Sequence, residues 1–557
     1  MNYPPLFATR WNLPRRMAVG ALGLTLLLAP AAFGAFGVTS SGGFYTVDSG
    51  AGLVIKIKQS NGDMTSVKYN GTELNDQSKA SGIASGLGTA TVSSTISGGN
   101  VAIIKCQTSS SNSVVANLTH YYIVRSGFNN IYMATYASAE PAVGELRYIF
   151  RGQFNVLPNG PAHSNNNGNT GAIESSDVFG HSDGTTTSKY YGNEAAMSLT
   201  VKGATGSGVG VFTAFGNRES SSGGPFFHDI ENQGDGSGSD QEIYNYMNSG
   251  HNQTEAYRLN VLHGPYAFCV TNGSTPSVPD FSFMDALGLT GYVASSGRGR
   301  VVVNGLSGMN TAFPYTVAFT NTAAQYWVAA NPSNGSCECF NMKPGTYTLN
   351  VFKGELIVQS VSNVAVTAGN ATTEHTITIT GDPSTTSTLW RIGDWDGTPK
   401  EFLNGNNINI MHPSDVRESN WGPVTFTVGS NTTGQFPAIQ FRGDNSPTTI
   451  KFNLTSTQAA SAHTMKIGIT CAYNNGRPSV TVNGHATTNP GASSQPSSRS
   501  FTIGTYRGNN ATFTYSIPAS DFVTGTNTLT ITPISGSGDL SPWLSAGWAY
   551  DCVELDN

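Results

Sequence analysis

At 557 residues the chain is too long for one ordinary domain and can build several hydrophobic cores. Only 11% of residues are charged, and 34 acidic against 28 basic side chains leave a net charge of −6. This excludes the basic footprint of a nucleic-acid binder or of a protein drawn to anionic membranes, so neither partner is expected, and an acidic ligand would need a local cluster of Arg and Lys.

Residues 1–35 read as a secretory signal peptide. Arg10, Arg15 and Arg16 precede an apolar run from Ala18 to Leu28, and small residues follow up to Ala35. The run is shorter than the roughly 20 residues a spanning helix needs, and no later segment is apolar enough to cross a bilayer. A secreted, extracellular, soluble product is therefore expected. Nine Asn-x-Ser/Thr sequons, at Asn70, Asn117, Asn252, Asn272, Asn334, Asn370, Asn431, Asn453 and Asn510, agree with export. The six cysteines lack zinc-site spacing. Pairing of Cys471 with Cys552 is favoured because both fall in one domain. Cys106 with Cys269 is a weaker choice, and Cys337-Glu338-Cys339 is left open.

From residue 36 to 285 the pattern is all-β. Leu53–Lys58, Val101–Lys105, Tyr121–Arg125 and Leu199–Lys202 are strand-like, with turns at Asn61-Gly62-Asp63 and Asn70-Gly71. With no convincing amphipathic helix, a large antiparallel β super-sandwich is expected. Gly291-Tyr292-Val293 and Arg300–Gly305 open a second segment, 286–380, whose short, evenly spaced strands predict a seven-stranded, fibronectin type III-like sandwich. Gly381–Ser387 reads as a junction. Residues 381–557, with strands at Val424–Val428, Thr449–Leu454, Ser479–Gly484 and Thr528–Ile531, predict a jelly roll of the carbohydrate-binding kind. Its tryptophans, Trp390, Trp395, Trp421, Trp543 and Trp548, are read mostly as core.

No Gly-x-Ser-x-Gly, phosphate-cradling loop or zinc motif is present. A paired-carboxylate hydrolase stays open, since Glu140, Glu145, Glu174, Asp177 and Asp183 lie in the first segment. Two dense blocks are more telling: Ser220–Ile230, and Tyr244–Glu255, which holds two tyrosines, His251 and a carboxylate. Aromatic rings and a group that titrates near neutrality suit a sugar-cleaving cleft. In an extended strand, Tyr244 and Tyr246 face one way.

These blocks, with His263–Tyr266, Glu174–Phe179, Thr187–Tyr191 and Gly144–Arg151, resemble the polysaccharide lyase family 4 rhamnogalacturonan lyases of fungi. The resemblance spans essentially the whole mature chain and the order of its three β domains. It implies β-elimination on the rhamnogalacturonan I backbone of pectin, with Lys189 as base and His251 as acid. It further implies Arg147 and Arg151 as the clamp on the uronate carboxylate, and Tyr244 and Tyr246 in the cleft. Positive charge and partial burial are expected around the Lys189 amine. At His228 a basic group is expected whose charge depends on pH. Arg507, in Thr505-Tyr506-Arg507-Gly508, is a candidate to reach substrate from the third domain. No cofactor is required by this chemistry, because arginines can replace a catalytic cation; a structural Ca²⁺ in the third domain is compatible with it. A monomer is expected. The competing readings are a glycoside hydrolase acting on pectin and a non-catalytic pectin-binding protein of the same fold.

Overall fold

The structure is a computed structural model that describes residues 34–83, 87–108, 117–141, 145–251, 255–492, 499–505 and 509–557. The leader up to residue 33, Gly144, the Asn252 sequon and the Tyr506–Gly508 run lie outside the described residues. Among the described residues no helix is long and apolar enough to cross a membrane.

Alternating sequence makes the first sheet. In Leu53–Lys58, Leu53, Ile55 and Ile57 are buried while Lys56 and Lys58 face water. The turn Asn70-Gly71 has φ of +49° and +86°, the left-handed pair that lets Met64–Tyr69 fold back on Thr72–Glu73. Five strands from Gly37–Ser41 to Thr72–Glu73 form this sheet in chain order. A seven-stranded sheet runs in the order Val201–Gly206, Val209–Phe215, Val261–Thr271, Asn130–Ala137, Leu118–Arg125, Val101–Gln107, Thr91–Ser97. A four-stranded sheet orders Asn232–Gly234, Asp240–Asn248, Leu146–Gln153 and Gly82–Ile83.

One face of the seven-stranded sheet packs against both other sheets, so Ile55, Ile104, Val124, Phe150, Met247 and Phe268 share one core. Its opposite face buries Ile123, Tyr132 and Cys269 under the Ser282–Ala286 segment. Leu118–Val124 is consequently buried on both sides, which is why that strand lacks the alternation of buried and exposed residues seen in Leu53–Lys58. The expected super-sandwich is present. Its strand near Leu199 starts two residues later, at Val201, and Gly291–Val293 is an irregular connection whose Tyr292 packs on the second core.

The middle sandwich, from Gly299–Val303 to Ile377–Thr378, has nine strands where seven are expected, because the two-residue pair Leu306–Ser307 and Ile377–Thr378 forms its own small sheet. The C-terminal jelly roll opposes two sheets, one built around Gly547–Asp556 and the other around Gly525–Ile534. Trp390, Trp395, Trp421 and Trp548 are buried, with Trp543 partly buried against the same core.

The cysteine pairing expected from sequence does not occur: all six are free. In the register between His463–Tyr473 and Gly547–Asp556, Cys552 stands opposite Gly468 and Cys471 opposite Ala549. Three positions along a strand separate partners by about 10 Å, beyond disulfide reach. Cys106 and Cys269 lie in cores on opposite faces of the seven-stranded sheet.

A small three-stranded sheet, Gly171–Glu174, Val178–Gly180 and Thr186–Ser188, carries the jelly roll against the first sandwich. The buried carboxylate of Glu174 accepts from Arg499 Nη1 at 2.7 Å and Thr502 Oγ1 at 2.9 Å, and meets His412 Nε2 at 3.1 Å. Asp415 accepts from the Thr186 backbone N–H and hydroxyl at 2.7 and 2.8 Å and pairs with Arg417. Burial alone would raise the Asp415 pKa, but the Arg417 guanidinium and the Thr186 donors hold it down to about 2. Tyr191 Oη donates to the Thr502 carbonyl at 2.6 Å.

Glu174→Gln removes the one negative charge facing Arg499 and His412 in this buried contact. We expect a loss of about 3–5 kcal/mol, the usual result of breaking a buried ion pair on one side, read as a lowered thermal midpoint. The Asp415 contribution has the depressed-carboxylate sign: present above its unfolded value near 3.8 and fading as pH falls towards about 2. Acid titration of thermal stability in wild type against Asp415→Asn should show that component vanish.

Candidate active site

The register of the small sheet sets the first functional group. Val178 lies opposite Ser188, so the residues flanking that pair, Asp177 and Lys189, are antiparallel neighbours. Lys189 Nζ contacts Asp177 Oδ1 at 2.5 Å. The turn before Asp177 passes through Ser175 at φ +52° and closes with the Asp177 N–H donating to the Glu174 carbonyl. Ser188 Oγ donates to the Ile503 carbonyl at 3.3 Å, so the jelly roll grips the strand that bears Lys189.

The second group sits past the end of Asp240–Asn248. Ser249 Oγ accepts from the His251 N–H at 2.9 Å and lies 3.1 Å from Nδ1, turning the ring towards Asp229, whose Oδ1 is also 3.1 Å from Nδ1. On the other side Nε2 is 3.0 Å from Tyr190 Oη and 3.5 Å from Glu145 Oε1. Burial works against a charge on this imidazole, but the carboxylates of Asp229 and Glu145 outweigh it and hold its pKa above the ordinary histidine value. Tyr190 links the two groups: its hydroxyl meets His251, and Lys189 Nζ lies 5.8 Å from its ring centre. Burial and the surrounding carboxylates raise the Tyr190 pKa strongly, so its hydroxyl keeps its proton.

Arg147, Ile149 and Arg151 project from one face of Leu146–Gln153, opposite Tyr246, Tyr244 and Glu242. Arg147 Nη1 donates to Tyr246 Oη at 2.7 Å and pairs with Glu145 at 2.9 Å. The Tyr246 ring is 5.4 Å from the His251 ring, so Arg147 and His251 flank one tyrosine, beside a recess lined by Asp229, Tyr244 and Tyr246.

Three expectations need correction. Arg151 is already engaged, by Glu242 at 3.0 Å and by the Ala80 carbonyl at 3.0 Å, and it stands about 13 Å along the strand from Arg147. Tyr244 stacks on Tyr246 at 6.0 Å but is buried, its hydroxyl tied to Glu242 and Gln233, so its ring is not free to stack on a sugar. The amine of Lys189 meets the Asp177 carboxylate, not a surround of positive charge. His228 is buried, with Nδ1 on the Asn193 carbonyl at 3.1 Å; burial pushes its pKa down to about 4, leaving it neutral. His263 is a core residue in Val261–Thr271. Arg507 lies outside the described residues.

Sequence reasoning passed over Asp229 and Tyr190 as site partners and weighed Glu145 and Asp177 only as hydrolase carboxylates. All four stand inside or beside the blocks singled out from sequence. What the sequence lacks is the pairing that brings them together. Among the described residues no group of three or more His, Cys, Asp or Glu is arranged to hold a metal ion.

An amine, an imidazole and a guanidinium thus stand around paired tyrosines on an all-β scaffold, groups able to meet a carboxylate and hydroxyls. Three family models cover the chain: rhamnogalacturonan lyase B, N-terminal, over residues 36–291; polysaccharide lyase family 4 domain II over 297–374; and domain III of that family over 388–555. The chain is 44% identical to a "Probable rhamnogalacturonate lyase A" of Aspergillus terreus, over 93% of this chain and 95% of that one. It is 43% identical to "Rhamnogalacturonate lyase A" of Aspergillus aculeatus, over 96% and 98%, and 42% identical to that of Emericella nidulans over the same shares. The chain belongs to polysaccharide lyase family 4.

If Asp229 sustains the imidazolium, Asp229→Asn should lower the His251 pKa. The alkaline limb of any activity that needs protonated His251 should then move to lower pH. A pH–kcat profile of both proteins checks this, and an unmoved limb would remove Asp229 from the role.

Proposed function

We propose that the chain is a rhamnogalacturonan lyase that cuts the bond between rhamnose and galacturonate in rhamnogalacturonan I by β-elimination. The observation that carries the reading is the grouping of Lys189 and His251 around Tyr190, beside Arg147. Elimination breaks the C5–H bond of the uronate and uses its electron pair to form the C4=C5 double bond as the C4–O bond breaks. Charge builds on the carboxylate meanwhile, and a guanidinium against it lowers the barrier. Arg147 has a buried Nε without a hydrogen-bond partner and fits that task.

Lys189 takes the C5 proton and His251 gives one to the departing oxygen. The base has to be an uncharged amine, so the Lys189–Asp177 contact must loosen as the sugar enters. The raised His251 pKa suits an acid, because it favours the protonated form near neutrality. Export behind the N-terminal leader, and action as a monomer without a catalytic metal, complete the proposal.

A hydrolase reading would rest on Glu145 and Asp177, but each is paired with a cation, Arg147 and Lys189. The two chemistries differ in product. Elimination leaves a 4,5-unsaturated uronate that absorbs near the ultraviolet edge, whereas hydrolysis makes reducing ends without that signal.

Lys189→Ala and His251→Ala should each lower kcat by about 10²–10⁴-fold, the usual worth of a positioned acid or base, with unfolding temperature little changed. Arg147→Ala should raise KM at least about tenfold through the lost charge-assisted contact, and Arg151→Ala should raise it less. Near-normal turnover in either of the first two would sink the assignment.

A further inference from the structure

The guanidinium of Arg218 is an unusual cation. It lies 3.9 Å from the Phe215 ring centre, yet among the described residues its side chain makes no hydrogen bond or ion pair, and its Nε is buried without a partner. Glu231 and Asp229 act on it only at longer range, and burial lowers its pKa to about 10, leaving it charged at neutral pH. A half-buried charge without an acceptor is costly, and a carboxylate supplied from outside would relieve it.

The space beside it fits such a ligand. A cavity of about 410 Å³ lies between the end of Val209–Phe215 and the edge strand Gln325–Ala329 of the middle sandwich. That is within the size range of small-ligand pockets. Trp327 is half-buried on one wall, and Phe340, 55% exposed, forms the rim. Asn217 and Asn341 add amide groups. The two carboxylates in the lining are already matched: Glu219 by Arg298 and Lys343, Glu338 by Arg300. Lys189, His251 and Arg147 are not among the lining residues, although Arg218 and Trp327 also line a tighter neighbouring cavity that reaches Asp229, Tyr244 and Tyr246.

We propose that this cavity is a second binding site, adjoining the cleavage recess but built from different groups, that takes one uronate unit of an acidic polysaccharide. Arg218 holds the carboxylate in the fork geometry of guanidinium pairs. Trp327 and Phe340 cover the apolar faces of the pyranose rings, and the amides of Asn217 and Asn341 meet hydroxyls. Because the middle sandwich contributes both aromatic side chains, it does more than space the other two domains. A chain held here would raise the effective concentration of further units near the recess. The choice of a uronate rests on the reading of the protein as acting on acidic polysaccharide.

The test is calorimetric titration of the full chain with a linear galacturonic acid oligomer, which lacks the rhamnose–galacturonate bond. Wild type should bind it, Arg147→Ala should still bind it, and Arg218→Gln should weaken binding at least tenfold. Trp327→Ala and Phe340→Ala should each weaken it severalfold with an unchanged thermal midpoint, and they decide the matter if Arg218→Gln does not fold. No binding by wild type, binding unchanged in the Arg218 or aromatic variants, or binding abolished by Arg147→Ala would each overturn the proposal. Failure of the lyase reading would show separately, as no unsaturated product from rhamnogalacturonan.

Discussion

A carboxylate withdrawn from water has to be met by donors, and those of Glu174 come from 238 and 325 positions further along the chain. Glu174 is 2% exposed, so the contact with His412, Arg499 and Thr502 cannot open without leaving a buried charge unmatched. That makes the jelly roll an obligatory part of the site-bearing region. The strand it locks, Thr186–Ser188, ends just before Lys189, and the turn after Glu174 presents Asp177. Where the amine sits is therefore decided by the joint between two domains, and the candidate base inherits the rigidity of a buried ion pair.

The recess itself balances charges in alternation. Asp177 faces Lys189, Glu145 faces Arg147 and also approaches His251, and Asp229 faces His251 from the other side. All of these side chains are between 10% and 32% exposed, so they feel one another through a medium less screening than water. In the proposed reaction, an entering uronate would add a negative charge to this set and compete with the resident carboxylates for the same cations. The site is thus arranged for exchange of partners, with Tyr190 and Tyr246 holding the geometry during the exchange.

Much of the scaffold is legible in the sequence, because burial on one face imposes a period of two and left-handed turns demand Asn or Gly. Leu53–Lys58 and the Asn70-Gly71 turn show both rules at work. Relations between strands are not legible in this way. Cys471 and Cys552 share a domain, but their register separates them, and that register depends on two irregularities in the pairing of His463–Tyr473. The same gap hides the site's acids. Asp177 reaches Lys189 only through an antiparallel pairing, and Asp229 reaches His251 only because a long loop returns beside the edge of Asp240–Asn248. Tyr244 and Tyr246 face one way as alternation requires, but how deeply each is covered is set by neighbouring segments: Val178, Tyr190, Tyr191 and Ile230 cluster with the buried Tyr244.

Lys189, His251 and Asp229 thus stand where regular pairing stops. His251 follows the last residue of a nine-residue strand, Lys189 the last residue of a three-residue strand, and Asp229 precedes the short edge strand Asn232–Gly234. Inside a sheet a side chain's direction is fixed by the pleat, whereas a residue just past a strand end can be turned towards a neighbouring segment. Large sheets give stiffness but little freedom of aim; short segments give aim but little stiffness. The arrangement combines the two by tying each short segment to a buried contact: Ser188 to Ile503, Glu174 to Arg499, and Ser249 to the imidazole it turns. A substitution that loosened any of these ties would therefore misplace a titratable group before it disturbed the sandwiches, and the recess would fail ahead of the fold.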